Sequence, residues 1–498
     1  MNRTGRPGPG ATTQMTRSKR PIAVIGAGFS GTLTALHLLS RTSDRQILLC
    51  ERNERFGRGI AYGTIDPDHL LNVRASNMSA FPDRPEHFVH WLERTGPHAG
   101  MHRTPAGTFV SRQLYGRYLS ALLKDALSGA DGASRLILVP DEVIDIVPQG
   151  SGHRIGLAGG RTIEVAAAVL AISQGSRPDD EAGLVVMDPW TSPFAEGLDR
   201  SRPVVVIGSG LTMVDIVLQL HRSGFDGPIV AISRRGLLPR SHAATQWWPA
   251  PAPTAHDLTS LARMMRHLRR HAAGAEAAGV GWRSAFDSLR PYISDLWLSL
   301  DPDAQRRFLR HARPWWDIHR HRMAPPVAQR IDDLLSRGQL DVRAGWIETV
   351  AARGDHARVA YRPRGQSAVQ VIEAQRVIVA TGTRSLERCG NPLLHRLVDQ
   401  GLARPDIHGL GLDIDPAFAV LDRTGQATSC LWAVGPLGRG VLWECTAVPD
   451  IRQHAVIVAD HVVAALAGPP QADGQGLGLH PVRFRQARDE QPLPPLPS

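Results

Sequence analysis

The chain has 498 residues, 42% of them hydrophobic and 21% charged, a balance that excludes a disordered chain and leaves room for two or three domains. Its 57 Lys and Arg against 47 Asp and Glu give a net charge of +10, yet the densest basic cluster, Arg263 to His271, is interleaved with Leu261, Met265 and Leu268 at helical spacing, as a solvated helix face is. Nucleic acid is therefore not expected as a partner, no apolar run approaches the about 18 residues that span a membrane, and residues 1–20 lack the apolar stretch of a signal peptide, so a cytoplasmic protein is expected.

Residues 1–19 are basic and rich in Gly, Thr and Arg and are expected to be a disordered tail. The apolar run Ile22 to Ile25 then leads into Gly26-Ala-Gly28-Phe-Ser-Gly31 and a helix-like segment from Thr32 to Leu39. The first glycine permits a tight turn, the second lets backbone N–H groups approach a pyrophosphate, and the third lets the helix pack close to the strand. A second apolar run, Ile47 to Cys50, ends in Glu51, about 20 residues after the last glycine, where a carboxylate can meet a ribose hydroxyl. Val169 to Gly175 is another buried strand with a glycine at its end.

The same pattern recurs at Val204 to Ile207, followed by Gly208-Ser-Gly210-Leu-Thr-Met213 and a helical run to Leu220. Met213 replaces the third glycine, so helix and strand are expected to stand slightly further apart there. The next strand, Ile229 to Ser233, ends in Arg234-Arg235 instead of an acid. Two guanidiniums at that place suit a ribose 2′-phosphate and hence NADPH, although a solvated basic turn keeps NADH open.

Between about 241 and 340 strand signals give way to helix-like segments at Thr259 to Ala273, Trp282 to Leu289, Ala304 to His311 and Pro326 to Ser336. This reads as a helical insertion. It carries Trp315-Trp316-Asp317-Ile318-His319-Arg320-His321-Arg322, a concentrated aromatic and cationic segment in a chain that is only 5% aromatic. Trp316, His319 and Arg320 are expected either to stack and neutralise a planar anionic substrate or to form a domain-packing surface. Val342 to Gln375 reads as a small β-meander. Val377 to Gly382 is a buried strand ending in Ala-Thr-Gly, and Cys430 to Gly435 is an apolar run followed by a helix from Asp450 to Leu466. Residues 469–498 are expected to be a disordered tail. The four cysteines contain no C-x-x-C, which disfavours a disulfide reductase, and no metal-ligand spacing is visible.

The strands 169–175 and 377–382 resemble the crossover points of two-dinucleotide flavoproteins. That resemblance implies an α/β protein with two Rossmann-like domains, FAD bound by Gly26, Gly28, Gly31, Glu51 and Gly435, and NADPH or NADH bound by Gly208, Gly210, Arg234 and Arg235. The domains are then 20–200 for the first part of the FAD domain, 201–345 for the NAD(P)H domain with its insertion, and 346–468 for the meander and the return to the FAD domain. Gly435 is followed by Pro436, which offers neither a carboxylate nor an N–H to the flavin's ribityl chain.

Gly57-Arg-Gly-Ile-Ala-Tyr-Gly-Thr64, His69-Leu-Leu-Asn-Val73, Met78 to Asp83, His87 to Trp91, the Trp315 to Met323 segment and Gly435 to Gly440 with Trp443-Glu444 together resemble a bacterial family of FAD/NAD(P)-binding proteins that includes FAD-dependent urate hydroxylases. The resemblance implies NAD(P)H-dependent monooxygenation through a flavin C4a-hydroperoxide, with O2 and a small anionic substrate as partners and urate to 5-hydroxyisourate as the expected reaction. The cofactor carries that chemistry, so no catalytic acid or base is assigned. The alternatives are an amino-acid N-monooxygenase, a flavin-linked NAD(P)H oxidoreductase without oxygen transfer, and a noncatalytic nucleotide sensor.

Overall fold

A computed structural model describes residues 19–64, 66–175, 183–190, 192–382 and 385–467. The expected terminal tails lie outside these, apart from Lys19, which pairs with Asp44.

Two sheets organise the chain. The first has six strands in the order Ala419–Leu421, Ala427–Ala433, Ala167–Leu170, Ile22–Ile25, Ile47–Cys50 and Leu136–Val139. All neighbours are parallel except the first pair, and Ile25 stands opposite both Cys50 and Leu170. Ile22–Ile25, Ile47–Cys50 and Ala167–Leu170 are buried at every residue, as strands covered on both faces must be, which is why they read as unbroken apolar runs. The helix Phe29–Arg41 forms the first crossover, and the last helix, Val448–Ala467, lies against it through an Arg41 to Asp460 ion pair.

The second sheet has seven strands in the order Val185–Val186, Arg376–Val379, Val204–Ile207, Ile229–Ser233, Leu340–Arg353, His356–Pro363 and Gln370–Ala374. It therefore draws on residues 185 to 379, a wider span than the 201–345 expected. The meander is not part of the return to the first sheet. Leu340 to Ala344 pairs in parallel with Ile229–Ser233, and the same strand continues past Gly345 to pair antiparallel with His356–Pro363. A Cβ at Gly345 would stand 2.7 Å from the Tyr361 ring and 2.9 Å from the Arg362 carbonyl, so this change of partner needs glycine.

The insertion is helical, with Leu261–Ala277, Gly281–Ser288, Ile293–Leu298, Pro302–Arg307, a π-helical turn at Phe308–Ala312, Arg313–Arg320 and Pro325–Ser336. Ser260 and Asp301 cap two of these helices by accepting from Arg263 N and Ala304 N. Two helices in the first half, His87–Thr95 and Arg112–Ser128, were not among the sequence expectations. The second buries Leu114, Tyr115, Tyr118, Leu119 and Leu122, a spacing of three and four that marks an amphipathic helix.

Candidate functional site

Gly26 has φ +97°, and a Cβ there would stand 2.7 Å from the Ala171 carbonyl oxygen. A Cβ at Gly31 would collide with the Gly26 carbonyl, so the helix Phe29–Arg41 seats directly on the turn. Gly28 is different. Among the described residues beyond its chain neighbours and its own helix, only the Cα of Gly59, at 3.6 Å, would meet a Cβ there within 4 Å, so the helix end is open. The helix that starts beyond Gly28 has neither a side-chain cap nor an acid in its first turn, so its orphan N–H groups and positive dipole end are available to an anion.

Glu51 stands beside this turn. Its Oε2 accepts from Ala27 N at 2.9 Å and its Oε1 from Asn53 N at 3.3 Å, and a carboxylate with about four acceptor positions keeps capacity for a ribose hydroxyl. Gly57 N donates to Ala27 O, and a Cβ at Gly59 would come within 2.9 Å of Gly28 Cα, so the Gly57 to Gly59 segment closes over the turn. Gly435, at φ +80°, comes to the same helix end, where a Cβ would stand 2.6 Å from Ser30 Oγ. All five residues expected at the flavin thus converge on one helix N-terminus.

The second turn repeats the arrangement. Gly208 has φ +121° and a Cβ would collide with Ala380 O, while a Cβ at Gly210 would meet nothing within 4 Å among the described residues beyond its chain neighbours and its own helix. Met213, in place of the third glycine, is fully buried in the core. Ser209 Oγ lies 2.7 Å from Ser233 Oγ and 2.6 Å from Leu237 O, and Gly236 N donates to Ser233 Oγ. The turn carrying Arg234 and Arg235 is thereby tied to the glycine turn. Arg234 is exposed, whereas Arg235 donates to His311 O at 3.3 Å.

The seam between the two units is ionic. Arg112 pairs with Asp215 at 2.7 Å and Asp66 with Arg222 at 2.5 Å, and His69 Nε2 lies 3.3 Å from Asp215 O, so the segment from Asp66 to Arg74 is tied to the helix Leu211–Arg222. Burial raises the Asp215 carboxyl despite Arg112 beside it. Further along, Arg322 and Arg74 share Asp287, and His242 Nε2 donates to Asn72 O at 2.9 Å. Arg322 is buried, and its Nε and Nη1 find no partner among the described residues.

Of the two expectations for the insertion residues, substrate contact or domain packing, the contacts of Trp316 and Arg320 agree with packing. Trp316 Nε1 donates to Glu444 Oε1 at 3.4 Å and Arg320 pairs with Glu444 at 3.2 Å, all three largely buried. Burial opposes ionisation of Glu444, but Arg320, His321 and Arg290 outweigh it and hold the carboxyl below its ordinary value. Arg320 is thus already neutralised and is not a free cation for an incoming anion. Trp316 belongs to an aromatic cluster with Trp297, Phe308 and Trp443, whose apolar cavity of about 30 Å³ is too small for a purine or an amino acid. His319 reaches this cluster through Phe286, its ring 5.4 Å from Phe286 and 4.8 Å from Trp282. Trp443 has φ +58°, strained for a bulky residue, and is held there by Trp297 stacked at 5.0 Å. Arg290 also pairs with Asp450 at 3.0 Å; sequence reasoning missed Asp215, Asp287, Arg290 and Asp450 because each meets its partner only through the fold.

Residues 23–175 match a family model described as FAD-NAD(P)-binding. Proteins without assigned function from Mycobacterium bovis and Mycobacterium tuberculosis are 22% identical over 92% of this chain and 98% of theirs. Among solved structures, the chain resembles the ornithine N-hydroxylase of Kutzneria sp. 744, at TM-score 0.59 and 14% identity over 89% of this chain and 99% of that one. It also resembles the L-lysine 6-monooxygenase of Pseudomonas syringae, at TM-score 0.58 and 19% identity over 90% and 99%. The ornithine hydroxylase of Pseudomonas aeruginosa in its reduced form superposes at TM-score 0.59 and 15% identity over 90% and 100%. The fold is the α/β architecture expected, and the cofactors that its paired glycine turns and the family match define are FAD and NAD(P)H.

Proposed function

We propose that this protein is a flavin-dependent NAD(P)H monooxygenase of the N-hydroxylating type, acting on the amine of a small amino acid. What supports the reading is the structural likeness to amino-acid hydroxylases, which match over 89–90% of this chain and nearly all of their own at TM-scores of 0.58–0.59. Those relatives offer urate no support, and the Trp316 and Arg320 pair that suited urate is spent on Glu444.

FAD, when bound and reduced by NAD(P)H, would supply the activation of O2, one atom of which goes to the substrate amine while the other leaves as water. The chain's own residues bind, orient and exclude water. The N–H groups beyond Gly28 and Gly210 receive the two pyrophosphates, and Glu51 accepts from a ribose hydroxyl. The Arg112 to Asp215 and Asp66 to Arg222 pairs fix the two units against each other, which sets the separation of the two dinucleotides. The aromatic cluster of Trp297, Trp316 and Trp443, with the buried Glu444 and Arg320, packs the insertion against residues 440–444 and keeps water out of that contact. Disulfide exchange has no support, since all four cysteines are unpaired and burial pushes the Cys50 thiol up to about 12 and Cys445 higher still.

The test is a panel of amino acids, L-ornithine and L-lysine first, with urate included, scored by NADPH oxidation and product mass. A hydroxylamine product supports the reading; hydroxylation of urate alone overturns the N-hydroxylating part of it.

A further inference from the structure

The strand Leu340–Arg353 lies beside Ile229–Ser233 in the second sheet and runs parallel to it. Its register with Ile229–Ser233 ends at Ala344 opposite Ser233, so Trp346 lies just past the carboxyl edge of the sheet, beside the turn that carries Arg234. Ligands of open α/β sheets bind outside that edge. Trp346 is 61% exposed, although a tryptophan gains more than any other side chain from being covered. The guanidinium of Arg234 lies 5.8 Å from its ring, within cation–π range.

The two arginines are not equivalent. Arg235 is anchored to the insertion through His311 O, with Trp315 6.0 Å from its guanidinium, whereas Arg234 has no hydrogen bond or ion pair among the described residues. Because Ser209 ties the pyrophosphate turn to Ser233, Trp346 and Arg234 hold a fixed place relative to it.

We propose that Trp346 is the platform on which the adenine ring of NAD(P)H stacks, with Arg234 rather than Arg235 on the ribose 2′-phosphate. This rests on the second unit being the pyridine-nucleotide site. An aromatic face serves the adenine of NADH and NADPH alike, while Arg234 separates the two.

Calorimetric titration of the FAD-loaded protein with NADP+, NAD+ and adenosine 2′,5′-bisphosphate tests the assignment. Trp346→Ala and Trp346→Leu should each weaken all three by about tenfold, and Trp346→Phe should keep most of the affinity. Arg234→Gln should weaken NADP+ and the bisphosphate by about tenfold and leave NAD+ unchanged. FAD content serves as the check on folding, and the leucine variant keeps the apolar bulk should the alanine variant misfold. Trp346→Leu binding all three within twofold of wild type overturns the platform while leaving the site itself intact. A wild-type protein that binds none of them overturns the nucleotide site and the platform together.

Discussion

The hydroxyls of Ser209 and Ser233 lie 2.7 Å apart and join the glycine turn of the second dinucleotide unit to the arginine turn that follows its second strand. One piece of structure therefore holds both the uncapped helix end and the arginine turn, which under the proposed function receive the phosphates and the ribose. The first unit achieves the same coupling with charge, through Glu51 accepting from Ala27 N.

That coupling predicts opposite behaviour of two turn variants. Gly28→Val should abolish FAD retention, because its methyl groups occupy the space left beside Gly59, and the purified protein should be colourless where the wild type is yellow. Ser209→Ala should retain FAD and lower NADPH affinity by about three- to tenfold, the effect of about one hydrogen bond. Flavin absorbance and a dinucleotide titration check the pair; FAD retained by Gly28→Val would contradict the placement of the pyrophosphate.

Replacing Arg234 and Arg235 together with glutamine should raise the NADPH dissociation constant by about tenfold or more and change that for NADH little. Equal loss for both cofactors would show that neither guanidinium reads the 2′-phosphate.

Glu444→Gln should destabilise the fold by about 3 kcal/mol, since it leaves Arg320 buried without its counter-charge. The Glu444 carboxyl is held below its ordinary value in the folded state, so the stabilisation it provides is complete above the unfolded value of about 4.3 and is lost as pH falls through the folded one. Denaturant unfolding at pH 7 and pH 4 should therefore show a smaller difference between variant and wild type at the lower pH. A constant difference would mean that the ion pair contributes nothing.

Acid sensitivity should begin well above the carboxylate range. Burial, with Arg322 next in effect, lowers His242 to about 3, and burial lowers His37 and His454 to about 4, against an ordinary 6.5. Below 6.5 the unfolded chain takes up these protons and the folded protein does not, so stability should fall as pH drops from 6.5 toward 4. A melting temperature that stays flat between pH 6.5 and 5 would contradict the neutral burial of these rings.

The glycine turns were legible in sequence because each is a local demand: φ at Gly26 and Gly208, clearance at Gly28 and Gly210. The helix Arg112–Ser128 is also written locally, in the spacing of Leu114, Tyr115, Tyr118 and Leu122. The seam was not. Arg112 and Asp215 are 103 residues apart, Trp316 and Glu444 128, and Arg290 and Asp450 160, so no window of sequence contains both members of a pair. The extent of the second sheet was hidden for the same reason, because Arg376–Val379 pairs with Val204–Ile207 and Val185–Val186 across the whole insertion. The Trp315 to Arg322 segment read as a pocket because composition reports what a side chain can bind, and only the fold shows that Glu444 is already there.

The measurement that bears most directly on the monooxygenase reading is turnover of the FAD-loaded protein with NADPH and an amino acid under 18O2, followed by mass spectrometry of the product. The account predicts one 18O atom per product molecule, carried on the amine nitrogen, with NADPH oxidised in proportion. NADPH oxidation across the amino-acid panel with no 18O in any product would contradict it.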